Sequence, residues 1–329
     1  HNFITAFLAR MLVGAWVVAA QPAALSLVSD LTDASQRGRV ITLISLGQAL
    51  GGTVAYVFAG SLLRWLPTLL PAASGLSALA PWRLVELVFA AAVLLATVAL
   101  SFMREPVRRE AGTALGANLH SALRELSRYR KFLLPLLGGM VTVGMADAAA
   151  SVWAVPVLTR TFHQTPADFG SWMGFLLLGS NVLGAVLGGT MADFAQRKRV
   201  RGGALLGAVL GAALSIPAAL FPVMPDVAWF ALMMGVLLTC GACVNIAATS
   251  AIMVILPNEL RGICMSLIVA VIGLAAFGVA PLLVSLTAQV SAHSADVAIP
   301  LACVGLATSI LGTASFVSAM RVATRPAAD

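Results

Sequence analysis

Asp147 is the only charged residue between 132 and 159, and Arg10 interrupts an apolar stretch near the start of the chain. A carboxylate among apolar residues can bind and release a proton or hold a cation. A guanidinium there can pair with an acid or with an anionic solute, so ionisable groups in such surroundings mark pathways by default. Gln21, Gln48, Asn181 and Asn245 lie inside similar runs. There an amide either lines a cavity or hydrogen-bonds a neighbouring helix. Trp153, on the same run as Asp147, offers a flat face that can stack on a ligand or simply pack.

A second grouping is GGTMADFAQRKRVR, residues 188–201. A long uncharged run ends at Asp193, and Arg197, Lys198, Arg199 and Arg201 follow. A helix C-terminus carries partial negative charge, so the bases suit that end and the acid does not. Asp193 therefore has either a partner elsewhere or a solvated ion pair with Arg197. No catalytic constellation accompanies these residues. The four histidines (1, 120, 163 and 293) lie at the start or in loops, without metal-ligand spacing or a nucleophile elbow. Cys240 and Cys243 form a CxxC one turn apart on an apolar run with no other thiol or His close in sequence, which reads as packing. Neither a metal nor a cofactor is expected, and the chain does not read as an enzyme.

The elements that position these groups must be membrane helices. The chain has 329 residues, 60% hydrophobic and 10% charged, with a mean hydropathy of +0.97. Soluble domains carry roughly 25% charged residues. Residues 11–29, 40–63, 202–225, 227–258 and 297–320 contain no Asp, Glu, Lys or Arg. About 20 apolar residues span a bilayer, and only helices satisfy their own backbone there. Nine spans are expected, at about 3–29, 40–63, 82–103, 131–158, 169–192, 203–223, 227–256, 263–289 and 297–320.

The net charge of +7 is distributed by side rather than as a nucleic-acid patch. With nine crossings, sixteen Lys and Arg fall in one set of loops and only Arg64, Arg83 and Arg160 in the other. The positive-inside rule makes the first set cytoplasmic, together with the C-terminus. Trp65, Trp82, Trp172 and Trp229 then flank the outer helix ends. Glu86 lies near Arg83 at that interface and is expected to snorkel. The chain is read as a monomeric multi-pass protein of the cell inner (plasma) membrane.

The polar stretch from Arg104 to Lys131 separates three helices from six, as a linker or a short amphipathic surface helix. Residues 1–103 then form the back of one transmembrane half, 104–130 the cytoplasmic linker, 131–320 a complete half and 321–329 a cytoplasmic tail. A repeat agrees: AALSLVSDLTDASQRGRVITL (23–43) aligns with AATSAIMVILPNELRGICMSL (247–267), pairing Arg37 with Arg261 and Gly38 with Gly262. Such repeats let two halves rock about a central site. The chain begins at His1 rather than Met, and three helices are expected to be missing from its front.

These residues resemble the major facilitator superfamily. GGTMADFAQRKR is similar to its loop motif at Gly189, Asp193, Arg197 and Lys198, and departs from it at Phe194 and Gln196. RMLVG is similar to its fourth-helix signature at Arg10 and Gly14. ARMLVG, QPAALSLVSDLTDASQRGR, FMREPVRR and ILPNELRG resemble the Spinster-like branch, although Val17 stands where that branch often has Glu. The resemblance implies an all-α polytopic fold with helices equivalent to 4–12 of twelve. It further implies a secondary transporter of a small amphipathic molecule or organic anion, working by rocker-switch alternating access, with Asp147 as a candidate proton site. In the motif's family role, Asp193 caps the helix after Gly262 beside Arg261. A truncated, non-transporting membrane scaffold or remnant is the alternative reading.

Overall fold

The structure, a computed structural model, describes residues 3–5, 7–14, 16, 37–69, 79–102, 124–197, 203–290 and 297–323. Among them the only regular elements are helices, without a strand. The helices are α1 (Phe3–Gly14), α2 (Arg37–Leu69), α3 (Pro81–Ser101), α4 (Arg130–Arg160), α5 (Pro166–Arg197), α6 (Leu206–Ala218), α7 (Val227–Ile255), α8 (Asn258–Gly273), α9 (Ala280–Val290) and α10 (Ala298–Ala323). A π-helical segment, Leu274–Val279, joins α8 to α9 in one continuous rod. Seven helical stretches among the described residues are long and apolar enough to cross a membrane. Each of the nine expected spans overlaps a helix, and the end of the first lies outside the described residues.

Local chemistry sets the ends. Pro81 occupies the first turn of α3, where its missing N–H costs nothing. Asp226 caps α7, its carboxylate accepting from the Trp229 N–H at 2.9 Å. Leu256 is extended before Pro257, as a residue preceding proline prefers, and α7 stops there. Consequently α8 begins at Asn258 rather than at the expected 263, and Arg261 and Gly262 are helical. The rod breaks register for a similar reason. Pro281 cannot donate to the Phe277 carbonyl one turn earlier, and a π turn passes that acceptor on by one residue. The Ala280 N–H bonds to the Ala275 carbonyl in that wider register.

Contacts divide the chain into two units: residues 1–51 with 72–118, and residues 52–71 with 119–329. In the second unit α10 packs along α4, and α5 and α6 both pack on α7. Small residues allow the close approach that association in lipid requires. A Cβ on Gly184 would lie 2.5 Å from that of Ala242, and one on Gly188 2.6 Å from the Cys243 carbonyl. The run LGAVLGG is thus a packing face. In GQALGG (47–52) a Cβ on Gly47, Gly51 or Gly52 would meet nothing within 4 Å among the described residues.

Candidate functional site

Asp147 lies mid-way along α4, where that helix crosses α7. Directly opposite is Gly241, and a Cβ at that position would fall on the Asp147 carboxylate. Glycine is therefore what makes room for the acid. Gly144, one turn earlier, faces the α8 rod, and its Cβ would lie 3.2 Å from Ile272. Together these residues enclose a cavity of about 60 Å³, lined by Asp147, Gly144, Gly241, Asn245, Met140 and Ile272 among others. A water needs about 10–15 Å³, so the space suits several waters or one small cation. Oδ1 of Asp147 is buried and has no hydrogen-bond partner among the described residues.

Of the remaining candidates, Asn245 shares this cavity, and its Oδ1 accepts from the Thr249 hydroxyl at 3.5 Å. Asn181 is exposed and donates to the Leu177 carbonyl of its own helix at 2.8 Å. Trp153 packs against a hydrophobic core cluster, with its indole N–H buried and without a partner among the described residues. Arg10 meets Glu86 of α3 at 3.4 Å, both side chains being largely exposed. Glu86 therefore serves Arg10, whereas Arg83 lies over the Trp82 ring. Cys240 and Cys243 are free and buried, as packing residues.

Gln21 and Lys198 lie outside the described residues, as do the side chains of Asp193, Arg197, Arg37 and Gln48. The backbones of Gly189 and Asp193 are in the last turns of α5, and those of Arg37 and Gly38 are in the first turn of α2. Arg261 donates through Nε to the Leu256 carbonyl at 2.9 Å, covering an orphan acceptor at the end of α7.

A second constellation escaped the sequence reading. At the start of α5 a Cβ on Gly170 would lie 2.9 Å from the Tyr56 carbonyl and 3.0 Å from the Gly60 Cα. One on Gly174 would lie 2.8 Å from the Thr53 carbonyl. Helices α2 and α5 thus touch backbone to backbone. Arg64 of α2 ties the end of this seam, donating to the Ala167 carbonyl at 2.9 Å and lying 3.8 Å from Asp168. Asp168 in turn accepts from the backbone N–H and hydroxyl of Thr165 at 3.0 and 2.5 Å, fixing the first turn of α5. Two signals were legible: the cap TPAD at 165–168, and the Gly170-x-x-x-Gly174 spacing.

The Major Facilitator Superfamily profile matches residues 1–279. The chain belongs to that superfamily. It is accordingly a membrane transporter. Two similar solved structures are of a bacterial homolog to the human lysosomal transporter Spinster, in inward-facing unoccupied and occupied conformations. Their identities to this transporter are 19% and 18%, with TM-scores of 0.73 and 0.69. In each case the match covers 94% of this chain and 76% of the other. The shared fold agrees with the Spinster-like resemblance of the motifs. Among curated proteins none matches.

Proposed function

We propose that this transporter is a proton-coupled secondary carrier of a small amphipathic molecule or organic anion, working by rocker-switch alternating access. Asp147 carries the proposal. A lone charge at bilayer depth costs at least roughly 2.5–3.5 kcal/mol. Here one carboxylate oxygen is buried without a partner among the described residues, beside a small cavity that Gly241 keeps open. A carboxylic acid facing a cavity that admits water can take up and release a proton, which is the property a coupling site needs. Asn245 shares the cavity and supplies a neutral amide for a solute or a water.

The α2–α5 seam supports the alternating part. Positive-inside counting favours the start of α5 on the outer side and the C-terminus in the cytoplasm, and the proposed carrier is a monomer of the inner membrane. Residues 1–103 and 131–320 then act as the two rocking parts, joined by the 104–130 linker. A seam closed by Gly60, Gly170 and Gly174 and tied by Arg64 is the contact an inward-open carrier makes on its outer side. At the inner side Asp193, Arg197 and Lys198 after Gly189 are the proposed gate motif of the second half with Arg261 and Gly262, and Arg37 and Gly38 are the equivalent of that last pair in the first half. Arg10 remains a candidate contact for an anionic solute.

The test is uptake by the reconstituted chain of a panel of radiolabelled organic anions and amphipaths, with and without an imposed pH gradient. The reading expects at least one compound to accumulate several-fold more when the gradient is present. Binding without any accumulation across the whole panel speaks instead for a scaffold.

A further inference from the structure

The cavity beside Asp147 runs in one direction. On α4 its lining residues Met140, Val143 and Gly144 precede the acid, and on α7 Val244 and Asn245 follow Gly241. The two helices are antiparallel: Phe132 shares a core cluster with Ile252, and Leu158 shares another with Phe230. The cavity therefore extends from the carboxylate toward the start of α4 and the end of α7. In the opposite direction the helices are sealed, with Ala150 and Ala154 of α4 and Met234 and Leu237 of α7 buried in one cluster.

The cavity opens at one residue. Met140, Val143 and Val244 are buried, Gly144 and Ile272 are half-buried, and of the lining residues only Asn245 is exposed. Asn245 is one turn beyond Gly241, so the residue that admits the acid and the residue at the opening share a face of α7. It is also the one polar side chain besides Asp147 that lines the cavity. Its Oδ1 accepts from the Thr249 hydroxyl, and its amide N–H groups have no partner among the described residues. A buried water needs about two to four polar partners, and an apolar constriction sheds water. Asp147 and Asn245 supply those partners at the two ends of an otherwise apolar space. No second charge is set beside the acid: α7, the π-helical segment and α9 carry none, and the other charges of α4, α8 and α10 lie in their end turns. The Cys240 thiol of α7 is the titratable neighbour close enough to sense the carboxylate.

We propose that this cavity is the water passage through which Asp147 takes up and releases its proton, with Asn245 holding water at its mouth. The proposal rests on the reading of Asp147 as a proton site and adds the route. Asp147 carries the proton, and Asn245 is a positioning residue that acts through the water. The passage leads toward the end of α7, which positive-inside counting favours as the inner side.

The experiment is infrared spectroscopy of the full chain in lipid films, moved from ordinary to heavy water in buffer acidic enough to protonate Asp147. The carbonyl band of the protonated acid, assigned as the band that Asp147→Asn removes, shifts when its proton is replaced by deuterium. Asn245→Leu keeps the bulk at an exposed helical position and removes the polar mouth. It is expected to slow the shift several-fold with the melting temperature undiminished, whereas Asn245→Gln is expected to keep the rate of the unaltered chain. A shift as fast in Asn245→Leu as in the unaltered chain, or slowed equally by Asn245→Gln, would overturn the passage and leave Asp147 a proton site. Absence of any band that Asp147→Asn removes would overturn the proton site and the passage with it.

Discussion

A methyl group on Gly241 would fall on the carboxylate of Asp147, where α4 crosses α7. The acid therefore depends on a residue of another helix for its place. Overpacking of this kind costs about 1–3 kcal/mol, or roughly tenfold in a coupled equilibrium. Gly241→Ala is predicted to lower pH-driven uptake by about that factor while gradient-free exchange persists. Equal loss of both modes would mean that the glycine serves packing alone.

The α2–α5 seam yields a prediction about conformation. Gly170→Leu forces a side chain onto the Tyr56 carbonyl and must part the helices. Thr53, buried in this seam, provides the reporter when replaced by cysteine. A Thr53→Cys carrier is expected to react slowly with a membrane-impermeant maleimide, and about tenfold faster once Gly170→Leu is added, for a cost near 1.4 kcal/mol. An unchanged rate would show that the seam does not gate access.

The first turn of α5 ranks two substitutions. Arg64 and Asp168 are both largely exposed, and such pairs contribute about 0–1 kcal/mol. Asp168 also holds the N–H and hydroxyl of Thr165, and losing a cap costs about 1 kcal/mol. Thermal unfolding in detergent is expected to show a larger fall for Asp168→Ala than for Arg64→Ala. The reverse order would assign the turn to the cross-helix pair.

Pro281 tests the π-helical segment. Alanine there restores the missing N–H, and a proline inside a helix costs about 3 kcal/mol. Pro281→Ala is predicted to raise the melting temperature and to slow uptake several-fold, because Ile272 and Gly144 pack beside the Asp147 cavity just before the π turn. Faster uptake would show that the irregular register has no part in transport.

Much of this was legible in the sequence because lipid leaves the chain few choices. Uncharged runs of bilayer length had to be helices, and their number and order followed directly. Asp147 could be singled out because no other charge lies within its run. Its surroundings could not be read, since the partner that admits it is a missing side chain, Gly241, on a helix nearly a hundred residues away. Helix α8 starts five residues before the expected 263 because Pro257 ends α7 and Asn258 opens the next helix at once. The Arg10–Glu86 pair joins residues 76 apart in sequence, so the position of Glu86 near Arg83 could not announce it. The seam at Gly60 and Gly170 required two glycines far apart in sequence to be seen together.

The most direct measurement is accumulation of a transported compound in proteoliposomes under an imposed pH gradient, for the unaltered chain and for Asp147→Asn. Asparagine keeps the size and hydrogen-bonding capacity of the protonated acid but cannot release a proton. The variant should still exchange the compound across the membrane and should no longer concentrate it. Full gradient-driven accumulation by Asp147→Asn would contradict the account.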